Sequence, residues 1–187
     1  MSDNATVYAP NTGIIVQMPK QELANLCRKH GAELDTITTD DGTGKPLDGA
    51  RLLWAMAGRE SSFGQNMTPR HELAYDLGGI YAKNPQQAAG LQKYGRIFAC
   101  SYGPLQIMAC NAPRYTPSEL AEDAEMALIA AADRLENYVI AHQGAKTLAD
   151  IGQCWNGGHK GATTTPGYVE DITKYYAAGL SAMVATA

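Results

Sequence analysis

Thr116-Pro117-Ser118-Glu119 is the strongest local constraint in this chain. A threonine N-cap, proline at the first helical position and glutamate at the third form a capping box, and the helix it starts is expected to reach about His142. Leu120, Ala124, Ala127, Leu128, Ala131, Leu135, Tyr138 and Val139 make one stripe along it at helical spacing. So many alanines imply close helix–helix contact in the protein centre, which makes this stripe core rather than a site. Other helices are signalled around it. Pro19 opens one with Leu23, Leu26, Cys27 and His30 on a single face and Gly31 as its stop. Asp48 is an N-cap for a second, in which Leu52, Leu53, Met56 and Ala57 recur. A short helix is expected near residues 85–94, and residues 101–108 read as a turn into another. Residues 148–155 form a helix that ends at Gly157-Gly158. Thr165-Pro166 starts the last, with Tyr168, Val169, Ile172, Tyr175 and Tyr176 turned inward. Strand signals are weak and best at Ile14-Ile15-Val16 and Thr36-Ile37-Thr38. The fold class predicted is mainly α, with at most a small β-hairpin.

A chain of 187 residues suits one domain, here residues 18–187, preceded by an extended arm over residues 1–17. The formal net charge of −4 argues against nucleic acid as a partner, because such binding needs clustered Lys and Arg. No run of ~18 apolar residues is present, so no membrane span is expected. The N-terminal residues carry Asp3 and no basic region, and read as lacking a secretory signal. Cys27, Cys100, Cys110 and Cys154 make no CxxC pair. Cys27 with His30, and Cys154 with His159, each lack a second half-site for zinc, so neither a metal nor another cofactor is expected. Disulfide pairing stays open. Gly42-Thr43-Gly44-Lys45 has the wrong glycine spacing, and no preceding strand, for a phosphate loop.

Glu60 is the residue on which chemistry is expected. It lies where an apolar helix ends, beside Ser61, Ser62 and Phe63. Apolar neighbours disfavour the carboxylate, and a helix C-terminus repels negative charge. Both raise the pKa, so the group can hold a proton near neutrality and serve as a general acid. On local features alone, a solvated glutamate at a helix end is the plainer alternative.

Glu60-Ser61-Ser62-Phe63 resembles the E-S-x-F signature of soluble lytic transglycosylases and goose-type lysozymes. Further resemblances follow in order. Gly103-Pro104-Leu105-Gln106-Ile107 is similar to that family's G-L-M-Q-[IL]. Cys154-Trp155-Asn156-Gly157-Gly158 is similar to A-Y-N-A-G, and the run from Thr165 to Ile172 to T-x-x-Y-V-x-x-[VI]. The resemblance covers residues 48–176 and implies a lysozyme-like helical domain that binds the glycan strands of peptidoglycan. Glu60 would take the catalytic-acid position and Ser61 would help hold its carboxyl. Gly103 and Gln106 would line the groove floor, Asn156 would take the groove asparagine position, and Tyr168 would face the acid. Trp155 replaces the family's tyrosine, and an indole donates a hydrogen bond but accepts none. Pro104 and Leu105 replace the usual Leu and Met, and Thr164 stands where a glutamate often precedes the last motif. The stretch between Glu60 and Gly103 is longer than in many relatives, which implies an inserted loop.

The implied reaction is cleavage of the MurNAc–GlcNAc β-1,4 linkage by one glutamate. If Glu60 then activates the sugar's own C6 hydroxyl, the product is a 1,6-anhydro sugar. If a second carboxylate positions water, it is a reducing end. Asp76 is the candidate second carboxylate and Glu72 another; surface charge on a loop is the alternative for both. Competing readings are a chitinase- or chitosanase-like glycosidase, a non-catalytic glycan-binding or virion module, and a cysteine amidase built on Cys154 with His142 or His159. A wall-cleaving enzyme of this kind would act in the cell wall or periplasm, delivered by phage lysis, a phage tail or a specialised secretion route. A proteinaceous inhibitor or immunity partner is left open.

Overall fold

The computed structural model describes residues 16–34, 44–75 and 84–184. Most of the expected N-terminal arm, Thr36-Ile37-Thr38 and Asp76 lie outside the described residues. The described chain is mainly helical: α1 (Lys20–Gly31), α2 (Gly49–Ser61), α3 (Pro85–Tyr94), α4 (Pro117–Glu122), α5 (Ala124–Arg134), α6 (Leu148–Gly157) and α7 (Tyr168–Val184). Between α5 and α6 the helix continues as a π-helix, Leu135–His142. Three short strands, β1 (Arg70–His71), β2 (Cys100–Tyr102) and β3 (Ile107–Met108), form one antiparallel sheet in the order β1-β2-β3.

α2 is the centre of the molecule. Leu52, Leu53, Trp54, Ala55, Met56 and Ala57 are each at most 1% exposed, so the helix is buried on all sides rather than along one stripe. Each large side chain among them contributes about 2 kcal/mol on removal from water. Asp48 caps α2, accepting from Arg51 N–H at 2.9 Å, as its sequence position predicts.

α7 lies antiparallel along α2 and is tied to it at both ends. At the start of α2, the Asp48 N–H donates to the Tyr176 hydroxyl at 2.8 Å, and Arg51 donates to the Tyr176 carbonyl through Nε (3.0 Å) and a terminal nitrogen (2.7 Å). At its end, Arg59 pairs with Asp171 at 3.3 Å, and Phe63 packs between Trp54 and Tyr175 with ring centroids 4.8 and 5.0 Å away. That packing needs a glycine at position 58, where a Cβ would meet the Phe63 ring at 2.5 Å.

The capping box at Thr116 forms with both hydrogen bonds. The helix it starts does reach His142, in three pieces. Asp123 leaves helical geometry and caps α5 through Met126 N–H at 2.9 Å, and the π-helix takes over at Leu135. The alanine stripe is buried, as expected, and brings the backbone of β2 close: a Cβ on Gly103 would stand 2.3 Å from the Ala127 Cβ.

Two expectations are corrected. Residues 101–108 form a hairpin, β2-turn-β3, instead of a turn into a helix. The backbone reverses at Gly103 (φ 70°) and Gln106 (φ 48°), and Ser101 and Tyr102 pair with Met108 and Ile107. The last helix starts at Tyr168, with Thr165-Pro166-Gly167 as the turn before it, closed by Tyr168 N–H donating to Thr165 at 3.0 Å.

Gly103 combines a left-handed backbone with a close contact, so Gly103→Ala is expected to destabilise by ~3 kcal/mol. Gly144 has φ 63° and open space around it, so Gly144→Ala is expected to cost only ~1 kcal/mol. Urea unfolding of the two variants checks the difference.

Candidate active site

The last turn of α2 delivers Glu60 to a cleft of about 290 Å³. Three regions supply its other walls. β1 and the chain after it bring Arg70, Glu72 and Tyr75, the hairpin brings Ser101, Gln106 and Met108, and the end of α6 brings Trp155, Asn156 and Gly158. Arg134 and Asn111 close one side. The motif residues Glu60, Gln106, Trp155 and Asn156, far apart in sequence, therefore share one cavity.

Glu60 is held by Tyr168, whose hydroxyl donates to its Oε1. Burial pushes the Glu60 carboxyl above its ordinary range, and the Glu72 charge pushes the same way; the Tyr168 hydrogen bond, Arg70 and Arg59 oppose them. Burial, together with the Glu60 charge, also raises the Tyr168 phenol well above 10, so the hydroxyl keeps its proton and remains a donor. The Arg59 guanidinium lies 5.2 Å from the Tyr168 ring centroid, and so backs the ring on which the acid leans.

Gln106 is 7% exposed and fixed at both ends of its amide. Nε2 donates to the Gly103 carbonyl at 3.0 Å, and Oε1 accepts from the Ser101 hydroxyl at 3.0 Å. Asn156 accepts from Thr165 N–H at 2.7 Å through Oδ1, which leaves its Nδ2 as a donor. Among the described residues, Ser62, Phe63 and Gln106 are the non-glycine residues with positive φ (53°, 59° and 48°). Two lie in the turn that begins two residues after Glu60 and the third lines its cleft, the clustering of backbone strain seen at functional sites.

Two expected roles change. The Ser61 hydroxyl donates to Ala57 at 3.0 Å and accepts from Gly64 N–H at 2.9 Å. It shapes the turn after the acid, while Tyr168 holds the carboxyl. Gly103 does not line the cleft; its packing against Ala127 places it behind the floor, where its carbonyl anchors Gln106. Tyr168 faces the acid, as the resemblance implies, and at 2% exposed it does so from behind the cleft wall. Tyr102 is likewise core, with its hydroxyl donating to the Ile97 carbonyl at 2.5 Å.

Sequence reasoning missed Arg70, Arg134, Asn111 and Met108 as cleft residues. Arg134 stands next to the core stripe of a long helix, where a charged residue ordinarily signals a solvated face. Glu72 was one of two carboxylates singled out in the insert; here it lines the cleft and pairs with Arg70 at 2.5 Å.

Cys154 also lines the cleft. Cys27 is buried, which pushes its thiol up to about 12. Burial and the Asp150 charge raise the Cys154 thiol, which disfavours the thiolate a nucleophile needs. Among the described residues no group of three or more His, Cys, Asp or Glu is arranged to hold a metal ion.

The raised carboxyl has a measurable sign. A folded-state pKa above the unfolded value means that Glu60 costs stability as pH rises through that interval and costs none below it. Glu60→Gln is therefore expected to unfold at higher urea than wild type at pH 7, with the gain shrinking toward pH 4. In carboxyl-carbon NMR titrations, Tyr168→Phe should raise the Glu60 pKa further, whereas Glu72→Gln should lower it. No family model matches this chain, and no curated protein or solved structure matches it.

Proposed function

We propose that this protein cleaves the glycan strands of peptidoglycan between MurNAc and GlcNAc, with Glu60 as the acid. One observation carries the reading: a carboxyl pushed toward its neutral form by burial, steadied by a phenol, on the wall of a cleft that also holds Gln106, Trp155 and Asn156. The four motif pieces that resemble transglycosylase and goose-type lysozyme sequences supply the substrate class.

With Tyr168 donating to Oε1, the carboxyl proton belongs on Oε2. Glu60 gives it to the glycosidic oxygen as that bond breaks and positive charge grows on the sugar ring. The resulting carboxylate then serves as base. The Tyr168 hydrogen bond, which favours the ionised form, offsets part of the cost of leaving that charge in a desolvated site. Asn156 Nδ2 and the Trp155 indole N–H supply donors for sugar hydroxyl and acetamido oxygens.

The placement of Glu72 favours a second reading of the later step. Ion-paired to Arg70 in the same cleft, it is the described carboxylate positioned to orient a water. Without that help the C6 hydroxyl of the same sugar attacks and an anhydro end results. The two products differ by one water.

Glu60→Gln is expected to lower the cleavage rate of purified sacculi by at least ~10²-fold, the usual contribution of a general acid. Mass spectrometry of the released muropeptides checks it; wild-type-like release by the variant would sink the reading. If reducing ends dominate, Glu72→Gln should suppress them. If anhydro ends dominate, it should leave the product unchanged. Release from chitin oligomers in place of muropeptides would favour the chitinase-like alternative.

A further inference from the structure

A second cavity, of about 430 Å³, adjoins the Glu60 cleft, and Asn111 and Arg134 line both. Its far side is built by Arg114, Tyr115, Asp133 and His142. One wall is the π-helix, a rare backbone form that appears often at functional sites. Tyr138 sits on that wall, and its hydroxyl reaches the carbonyl of Gly158, a residue of the first cleft, at 3.5 Å. The two cavities are thus neighbours, with Asn111 and Arg134 as shared walls.

The chemistry of the second cavity differs from that of the first. Two guanidiniums and an imidazole stand against one carboxylate, Asp133, in a chain whose net charge is −4. The Tyr138 ring is already covered by its own helix: the Arg134 guanidinium lies 3.4 Å from its centroid, and the His142 ring stacks on it at 5.3 Å. A ring flanked in this way offers little face to a sugar. Two guanidiniums beside a Tyr138 ring that is already covered suit a flexible ligand that carries carboxylates. Every MurNAc residue of peptidoglycan carries such a group as a branch, the short peptide stem.

We propose that this second cavity receives the anionic peptide stem of the strand whose glycan lies in the Glu60 cleft, with Arg114 and Arg134 meeting its carboxylates. The proposal rests on the reading of the cleft as a peptidoglycan-cleaving site. Arg114 is tied to Asp133 at 3.2 Å, so the stem carboxylate competes with Asp133 for that guanidinium. Stem-bearing strands are then preferred substrates, and Asp133 limits the preference.

The experiment compares kcat/KM on purified glycan strands with their stems intact and on the same strands stripped by an N-acetylmuramoyl-L-alanine amidase. Wild type is expected to favour intact strands about tenfold, the effect of one charge-assisted pair. Arg114→Ala/His142→Ala should bring the ratio toward one, chiefly through KM, and Asp133→Asn should raise it. Because a ratio is read, a general loss of activity cancels. Cleavage of both substrates at equal efficiency by wild type overturns the stem site and leaves the proposed function standing. Cleavage of neither overturns both. A double variant that slows both substrates equally, with the ratio kept, makes the cavity a saccharide subsite and overturns the assignment.

Discussion

Everything in this fold that bears on chemistry depends on keeping water away from one end of α2. The helix is buried around its whole circumference for two turns, from Leu52 to Gly58, and Glu60 follows two residues later. A helix amphipathic in the ordinary way would have placed its last turn half in solvent. Here α7 covers that turn, and the covering element carries the phenol that meets the carboxyl. Burial and partner come from the same packing event. The ties of Asp48 and Arg51 to Tyr176, three turns away at the opposite end of the pair, fix the register that makes this meeting possible.

The turn that follows Glu60 shows how the chain leaves such a buried helix. Ser62 and Phe63 both adopt positive φ, at a cost of about 1–3 kcal/mol each. The cost is offset locally. The Ser61 hydroxyl bridges Ala57 and Gly64, Phe63 N–H reaches the Ala57 carbonyl at 3.0 Å, and the Phe63 ring enters the aromatic stack with Trp54 and Tyr175. A serine pair followed by phenylalanine is therefore a structural device as much as a sequence signature. It turns the chain sharply while leaving the glutamate before it at the cleft wall.

Much of the helical framework was legible in the sequence because its signals are local. Asp48, the Thr116 capping box, the paired glycines at the end of α6 and the alanine stripe each act within a few residues, and each behaves as its chemistry dictates. The sheet was not legible, for a physical reason. Its strands are two or three residues long, too short for a period-two pattern, and are set by the backbone reversal between Gly103 and Gln106. The site divides along the same line. The raised pKa of Glu60 followed from its neighbours in the chain, whereas the partner that holds it, 108 residues distant, was indicated only by resemblance. Arg70, Arg134 and Asn111 carry no local mark of their role; tertiary packing alone brings them to the cleft.

Two glutamates face one cleft with unlike partners, and that difference divides the labour between them. Glu60 is seated at the end of a rigid, fully packed helix, and its one direct side-chain hydrogen bond comes from a neutral hydroxyl that keeps its proton. Glu72 follows a two-residue edge strand, more than a quarter exposed, and its direct partner is the Arg70 guanidinium. Glu60 thus meets a neutral donor, whereas Glu72 meets a guanidinium at 2.5 Å. On the proposed reading, the packed helix supplies the group whose position must not vary during bond cleavage, and the shorter, more solvated element supplies its neighbour across the cleft. The Glu72 charge raises the proton affinity of Glu60 without touching it. The asymmetry follows from where each residue lies in the fold, and the proposed division between the two carboxyls rests on it.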